Sequence, residues 1–336
     1  MQYVCTRSLP IAGRDFSLQK NIHVYNDIFL NKQIKKVYNI KHVKYCRVFS
    51  ANRRDFMNKP RLGHIHFLNV LPLTYGLNNL NLKEGLELRN GVPAVMNNDL
   101  LTGRVDASEV SSIVYARNYE DLLVLPDLCV RADGEVRSIL LVSKKPIEEI
   151  NEDKIILTAQ SATAHCLLKI IMAKAYDASP RYYTRNLTPA HPVPNDATAS
   201  LLIGDDALYV YHHQQKDKYY YYDLGREWKK LTDRCMVYAV WTVHKSFAQA
   251  NPEGVQFIYD RLYRSLQEGW KNKKEAIASI IDKKPFTERQ VSEYLNVIKW
   301  NLTEEYLDNL KVFYDLDYEQ KLIPRRPRIR MADVQR

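Results

Sequence analysis

At 336 residues, 46% hydrophobic and 26% charged, the chain has the balance of a folded protein and more length than one compact core usually holds, which excludes a disordered chain or coiled coil and favours two α/β lobes. Its net charge of +10 is concentrated at one end, with 11 Lys and Arg against 3 Asp and Glu in residues 1–56 and 38 against 36 in the rest, so the body lacks the basic face a nucleic-acid binder needs. Five scattered cysteines without paired spacing, no apolar run near the roughly 18 residues of a membrane helix and no secretory apolar segment exclude a zinc set, a disulfide framework and a membrane span, and point to the cytoplasm.

Residues 1–56 are rich in Lys, Asn, Tyr and Ile without a sustained hydrophobic period; they read as a basic N-terminal extension, disordered or preceding a true start at Met57. From there strands and helices alternate, the signature of a largely parallel sheet with covered faces. A strand over Arg61–Phe67 leads to Pro72, a good first-turn residue for a helix reaching about Leu80. Pro93 opens a second helix, with Val92, Val95, Met96 and Leu100 expected on one face. The short apolar stretches Leu122–Leu125, Ser138–Val142, Ile155–Leu157, Leu201–Ile203 and Val237–Trp241 read as buried strands. Between them Ala164, Leu167, Leu168, Ile171, Met172 and Ala175 recur at helical spacing. After about Ser246 the pattern is wholly helical, with stripes at Val255, Ile258, Tyr259 and Leu262 and at Val291, Tyr294, Leu295 and Ile298. The tail from Pro324 reads as a solvated end.

Four segments carry polar groups at strand-to-helix changes, where free N–H groups and the positive end of a helix meet a ligand. Asn69 precedes the Pro72 helix and offers an amide donor and acceptor, or simply satisfies the turn. Ser111 and Ser112 follow Asp106-Ala-Ser-Glu-Val, where a helix cap is the plain alternative. Ser161 and Thr163 stand just before the amphipathic helix. Gly204-Asp205-Asp206 ends a strand on two carboxylates that point opposite ways along an extended chain, which disfavours a shared metal and leaves one of them to order a loop. His64 and His66 alternate on a strand with no third ligand nearby, so no metal is expected. Walker, G-x-G-x-x-G and G-x-S-x-G motifs are missing.

The ordered set Gly63-x-Ile-x-Phe-Leu-Asn-x-Leu-Pro-Leu73, Val105-Asp-Ala, Ser111-Ser-Ile-x-Tyr-Ala116, Leu125-Pro-Asp-Leu128, Val136-x-Ser138, Ser161-Ala-Thr163, Ile203-Gly-Asp-Asp-Ala-Leu208 and Tyr238-Ala-Val-Trp241 resembles the chorismate dehydratase family of menaquinone biosynthesis. The likeness runs from about Arg61 to near Pro324. It implies an α/β, type II periplasmic-binding-protein-like fold: two lobes joined by crossover strands, with the ligand cleft between them. Ser138–Val142 and Val237–Trp241 are the candidate crossovers, giving one lobe of residues 57–138 plus 242–336 and another of 139–241. The family reaction, a carbon–oxygen hydro-lyase step of the futalosine route, turns chorismate into 3-[(1-carboxyvinyl)oxy]benzoate and water without a cofactor.

The resemblance further implies Asn69 as the catalytic, orienting residue. Ser111, Ser112, Ser138, Ser161, Thr163 and Asp205 become substrate contacts, and the substrate's own enolpyruvyl carboxylate takes the proton. The partner is then the small molecule chorismate, with neither nucleic acid nor membrane, and the sequence is silent on oligomeric state. Phe67 stands where the family more often has Tyr, Ala164 where a second Ser is usual, and Asp233-Arg-Cys235 in place of a usual Gly-x-Pro. The rival readings are a non-catalytic carboxylate solute-binding protein and the related 1,4-dihydroxy-6-naphthoate synthase. The latter is expected to carry Ser-Pro-Cys-Pro-Asn-Asp where this chain has Phe-Leu-Asn69-Val-Leu-Pro72, and the partly similar Pro192-Val-Pro-Asn-Asp196 reads as a loop.

Overall fold

The computed structural model describes residues 59–336; the N-terminal extension over residues 1–56 and the start at Met57 lie outside the described residues. Two five-stranded mixed sheets organise these residues. The first contains β1 (Arg61–Ile65), β2 (Glu87–Gly91), β3 (Ala107–Ser111), β4 (Leu122–Ala132) and β10 (Met236–His244), in the order β2-β1-β3-β10-β4. Here β1 runs parallel to β2 and β3, and β10 antiparallel to β3 and β4. The second contains β5 (Ile139–Ser143), β6 (Lys154–Thr158), β7 (Arg181–Arg185), β8 (Ala199–Ile203) and β9 (Tyr220–Asp223), in the order β7-β6-β8-β5-β9.

The expected crossovers need correction. Every residue of β5 pairs inside the second sheet, and β10 pairs with β3 and β4 inside the first. Apolar strands complete their ladders in one sheet, and the chain crosses in short polar segments, residues 133–138 and 233–235. Residues 236–241, expected in the second lobe, therefore belong to the first sheet. Left-handed turns at Gly134 (φ 84°), Arg137 (φ 64°) and Asp233 (φ 55°) let the crossings bend sharply. The first crossing is pinned by the Asp223 carboxylate, which accepts N–H groups from Val136, Arg137, Gly225 and Arg226.

Helices cover both sheets. In the first lobe α1 (Leu71–Asn79) carries Pro72 in its first turn and α2 (Pro93–Leu101) starts on Pro93. On α2 the buried stripe is Pro93, Met96, Asp99 and Leu100, whereas Val92 and Val95 are 52% and 47% exposed, unlike the shared face expected for them. Next come α3 (Ser112–Arg117) after β3, α4 (Ala162–Ala175) after β6, α5 (Gly204–His212) after β8 and α6 (Leu224–Thr232) after β9.

The C-terminal helices are α7 (Lys245–Ala250), α8 (Pro252–Lys271), α9 (Lys273–Ala278), α10 (Glu288–Val297) and α11 (Glu304–Glu319). A capping box of Thr287 and Gln290 starts α10. The region is not wholly helical, since Lys299 bridges to Arg131 and Met331 to Val124. Nor is the tail free in solvent: Ala332 N–H reaches Val124 O at 2.8 Å, and the Tyr115 hydroxyl takes Arg330 N–H and gives to Arg328 O.

Candidate functional site

A cavity of about 90 Å³ lies between the two sheets, walled by the ends of β1 and β3, the crossing at Val136–Ile139, and the entrances to α4 and α5. Asn69 stands at its edge because a 3-10 turn, Leu68–Val70, joins β1 to α1. Trp300 donates its indole N–H to Asn69 O at 3.0 Å and fixes the backbone, while the side-chain Oδ1 is buried without a partner. A buried carboxamide oxygen left open is costly unless something else satisfies it.

Ser111 precedes α3, makes no capping bond and faces the cavity. Ser161 caps α4 by accepting Ala164 N–H at 3.2 Å and also lines the cavity. Ser138 lines it from the crossing, with its hydroxyl accepting from Tyr294 at 2.9 Å. The structure thus brings Asn69, Ser111, Ser138 and Ser161 to one space.

Ser112, Thr163 and Asp205 stand outside that lining. Ser112 is fully buried and gives its hydroxyl proton to the carbonyls of Val237 and Tyr238, and Thr163 Oγ1 accepts Ile113 N–H at 3.2 Å. Thr163, through Ile113 N–H and the Ser112 hydroxyl, ties α4 to α3 across the lobes, while Ser112 anchors α3 to β10. Asp205 and Asp206 lie in the first turn of α5 and not on extended chain, so the expectation of opposed carboxylates fails because the helix starts at Gly204, whose φ of 63° makes the turn. Asp205 accepts Leu68 N–H at 3.2 Å and pairs with Lys284, spanning the lobes. Burial, and then the neighbouring Asp205, raise the Asp206 carboxyl above its usual range.

Among the described residues, no Lys or Arg lines the cavity. The entrance to α4 at Gln160–Ser161 and the entrance to α5 at Gly204 open onto it, so the positive ends of two helix dipoles face the space, and the Gly204 N–H itself is taken by Ser138 O at 2.8 Å. Phe67 packs beside Gly204, where a Cβ would meet the ring at 3.2 Å. His64 turns to Thr74 Oγ1 at 2.9 Å and is held down to about 3 by burial, with His66 adding to the effect. The described residues hold no group of three His, Cys, Asp or Glu suited to a metal.

Sequence reasoning missed Glu109, Gln160, Tyr238 and Tyr294, all in the lining. Glu109 is 6% exposed, and burial pushes its carboxyl up to about 8. The signal was present in the two-residue alternation that puts Glu109 on the same face of β3 as Ser111. Tyr294 was read as core, which it is, but its hydroxyl reaches Ser138.

A family model described as menaquinone biosynthesis matches residues 60–319. The chorismate dehydratase of Thermus thermophilus is 32% identical over 201 residues, covering 55% of this chain and 69% of that protein. The chorismate dehydratase of Campylobacter jejuni is 29% identical over 182 residues, covering 53% of this chain and 64% of that protein. Among solved structures, a protein of Archaeoglobus fulgidus superimposes with a TM-score of 0.65 at 14% identity, over 78% of this chain and 98% of that one. The periplasmic aliphatic sulphonate binding protein of Escherichia coli does so with a TM-score of 0.57 at 15% identity, over 80% and 94%. At those identities the structural likeness shows the fold alone, and that fold is periplasmic-binding-protein-like.

Proposed function

Because the chain belongs to the menaquinone-biosynthesis family, we propose that it is an enzyme that dehydrates chorismate to 3-[(1-carboxyvinyl)oxy]benzoate, a carbon–oxygen lyase reaction of the futalosine route. The observation that carries this reading is the open, buried Oδ1 of Asn69 at the edge of a cavity that holds, among the described residues, three serines and two helix entrances but no cationic side chain. Chorismate is a dianion, and neutral donors at helix entrances hold carboxylates without trapping them in strong ion pairs.

Dehydration removes the C3 proton and the C4 hydroxyl, and the ring becomes aromatic, which supplies the driving force. The protein's task is to orient the ring. In this reading Asn69 holds the reacting centre through its carboxamide, Ser161 and the entrance to α4 hold one carboxylate, and Ser111 and Ser138 serve the other. The enolpyruvyl carboxylate of the substrate takes the C3 proton. Cys129, Cys166 and Cys235 are free thiols, in keeping with a cytoplasmic setting.

The test is incubation of the purified full chain with chorismate, followed by chromatography and mass measurement. Loss of one water from chorismate is the expected result, with Asn69→Ala lowering kcat about 100-fold. Saturable binding of chorismate without product would make the chain a binding protein. Near-normal turnover in Asn69→Ala, with loss of turnover in Ser111→Ala, would move the orienting role to Ser111.

A further inference from the structure

Resting on the dehydration reading, we propose that Glu109 is the general acid of the reaction and gives its proton to the C4 oxygen as the C4–O bond breaks. Among the described residues, Glu109 is the sole carboxyl in the cavity lining. It lies on β3 two residues before Ser111, so both side chains leave the same face of the sheet. It is 6% exposed, and among the described residues no hydrogen bond or ion pair reaches its carboxyl group.

A buried carboxyl without a cation stays protonated, and a protonated carboxyl is what a departing hydroxide needs. The environment agrees, since burial alone raises the group to about 8, so it carries its proton at neutral pH. An ionised Glu109 would repel a dianionic substrate, whereas the neutral acid donates to it. The facing groups do not compete. Burial raises Tyr238 on β10, Tyr294 on α10 and Cys129 on β4 above their ordinary values. Arg131 on β4 is turned to Asn301, and His64 on β1 to Thr74.

The step balances. The C3–H bond breaks, its electron pair forms the C3=C4 bond, and its proton goes to the enolpyruvyl carboxylate. The C4–O bond breaks with its pair on oxygen, which takes the Glu109 proton and leaves as water. Glu109 recovers a proton from the enolpyruvyl carboxylic acid, so the net change is loss of one water, with nothing oxidised or reduced.

The experiment compares wild type with Glu109→Gln by product formation across pH 6–9.5 and chorismate binding by calorimetry. The expected result is a wild-type kcat/KM that falls above about 8. In the variant, kcat should be about 100-fold lower, Kd changed less than about threefold, and the alkaline fall gone. A role in folding alone would shift thermal stability and leave the alkaline fall in place. Two outcomes would overturn the proposal: a variant within about threefold of wild-type kcat with the same pH profile, or a wild-type profile flat to pH 9.5, which needs no variant. If wild type binds chorismate but makes no product at any pH, the dehydration reading fails first and this assignment with it.

Discussion

Asp317 on α11 is fully buried, and neither carboxyl oxygen has a hydrogen-bond partner. Burial pushes the group up to about 7, against smaller opposing effects of Cys166 and Arg117. An unfolded Asp ionises near 3.9, so below about pH 4 the group is protonated in both states and costs nothing. Between about 4 and 7 the unfolded chain releases the proton while the folded chain keeps it, so stability falls as pH rises and the full penalty is reached above 7. Asp317→Asn should therefore raise stability by about 4 kcal/mol at pH 8 and by almost nothing at pH 4. Thermal denaturation at the two pH values checks this, and a gain independent of pH would exclude the buried charge as its cause. Asp317 also shows what a sequence leaves out. Asn69, Ser111 and Ser161 were legible because a strand end followed by a helix start sets out free N–H groups in a recognisable order. Glu109 and Asp317 were not, because sequence names a carboxyl but not whether a cation or water reaches it.

The seat of α1 is set by two glycines. A Cβ on Gly76 would overlap Ser265 O on α8, and one on Gly269 would overlap Pro72 O on α1. The two helices thus touch backbone to backbone, and α1 begins two residues after Asn69. Gly269→Ala forces them apart and should cost about 1–3 kcal/mol. Because the shift is passed to the Leu68–Val70 turn, kcat should fall more than that loss of folded protein explains, as read by turnover per folded molecule well below the melting temperature. Unchanged kcat would mean the turn is held by Trp300 and Asp205 independently of α1. Such a contact was invisible in sequence, where Gly76 only weakens a helix. The strands that went unread share a cause: β2, β7 and β9 are edge strands, and Arg-Tyr-Tyr-Thr-Arg in β7 is mostly exposed. These three bury little and leave no apolar run, whereas β4, an edge strand buried along most of its length, was legible from Leu122–Leu125 and the fully buried β8 from Leu201–Ile203.

Two lobes were legible in the alternation of strands and helices and in the chain's length, but not their seam, since an apolar strand does not say which sheet it joins. That seam is held shut at the cavity's edge. Asp205, at the start of α5 in the second lobe, accepts Leu68 N–H and pairs with Lys284 from the first, and Tyr294 on α10 bonds Ser138 at the crossing. A cavity of about 90 Å³ is below the roughly 300 Å³ at which small-molecule sites begin, so the lobes must part to admit chorismate, turning on the crossings at residues 133–138 and 233–235. Asp205 then fastens the closed lobes from α5, through the Leu68–Val70 turn that carries Asn69. Removing it should leave the core intact and weaken the closed state, since both partners are partly exposed and such a pair is worth about 1 kcal/mol. Asp205→Ala should hold chorismate roughly fivefold less tightly, with the melting temperature changed by no more than a few degrees. Raising salt should weaken wild-type binding further than that of the variant, because screening removes a pair the variant has already lost. Calorimetry at low and high salt decides it: equal affinities and equal salt dependence would show that the lobes close without Asp205.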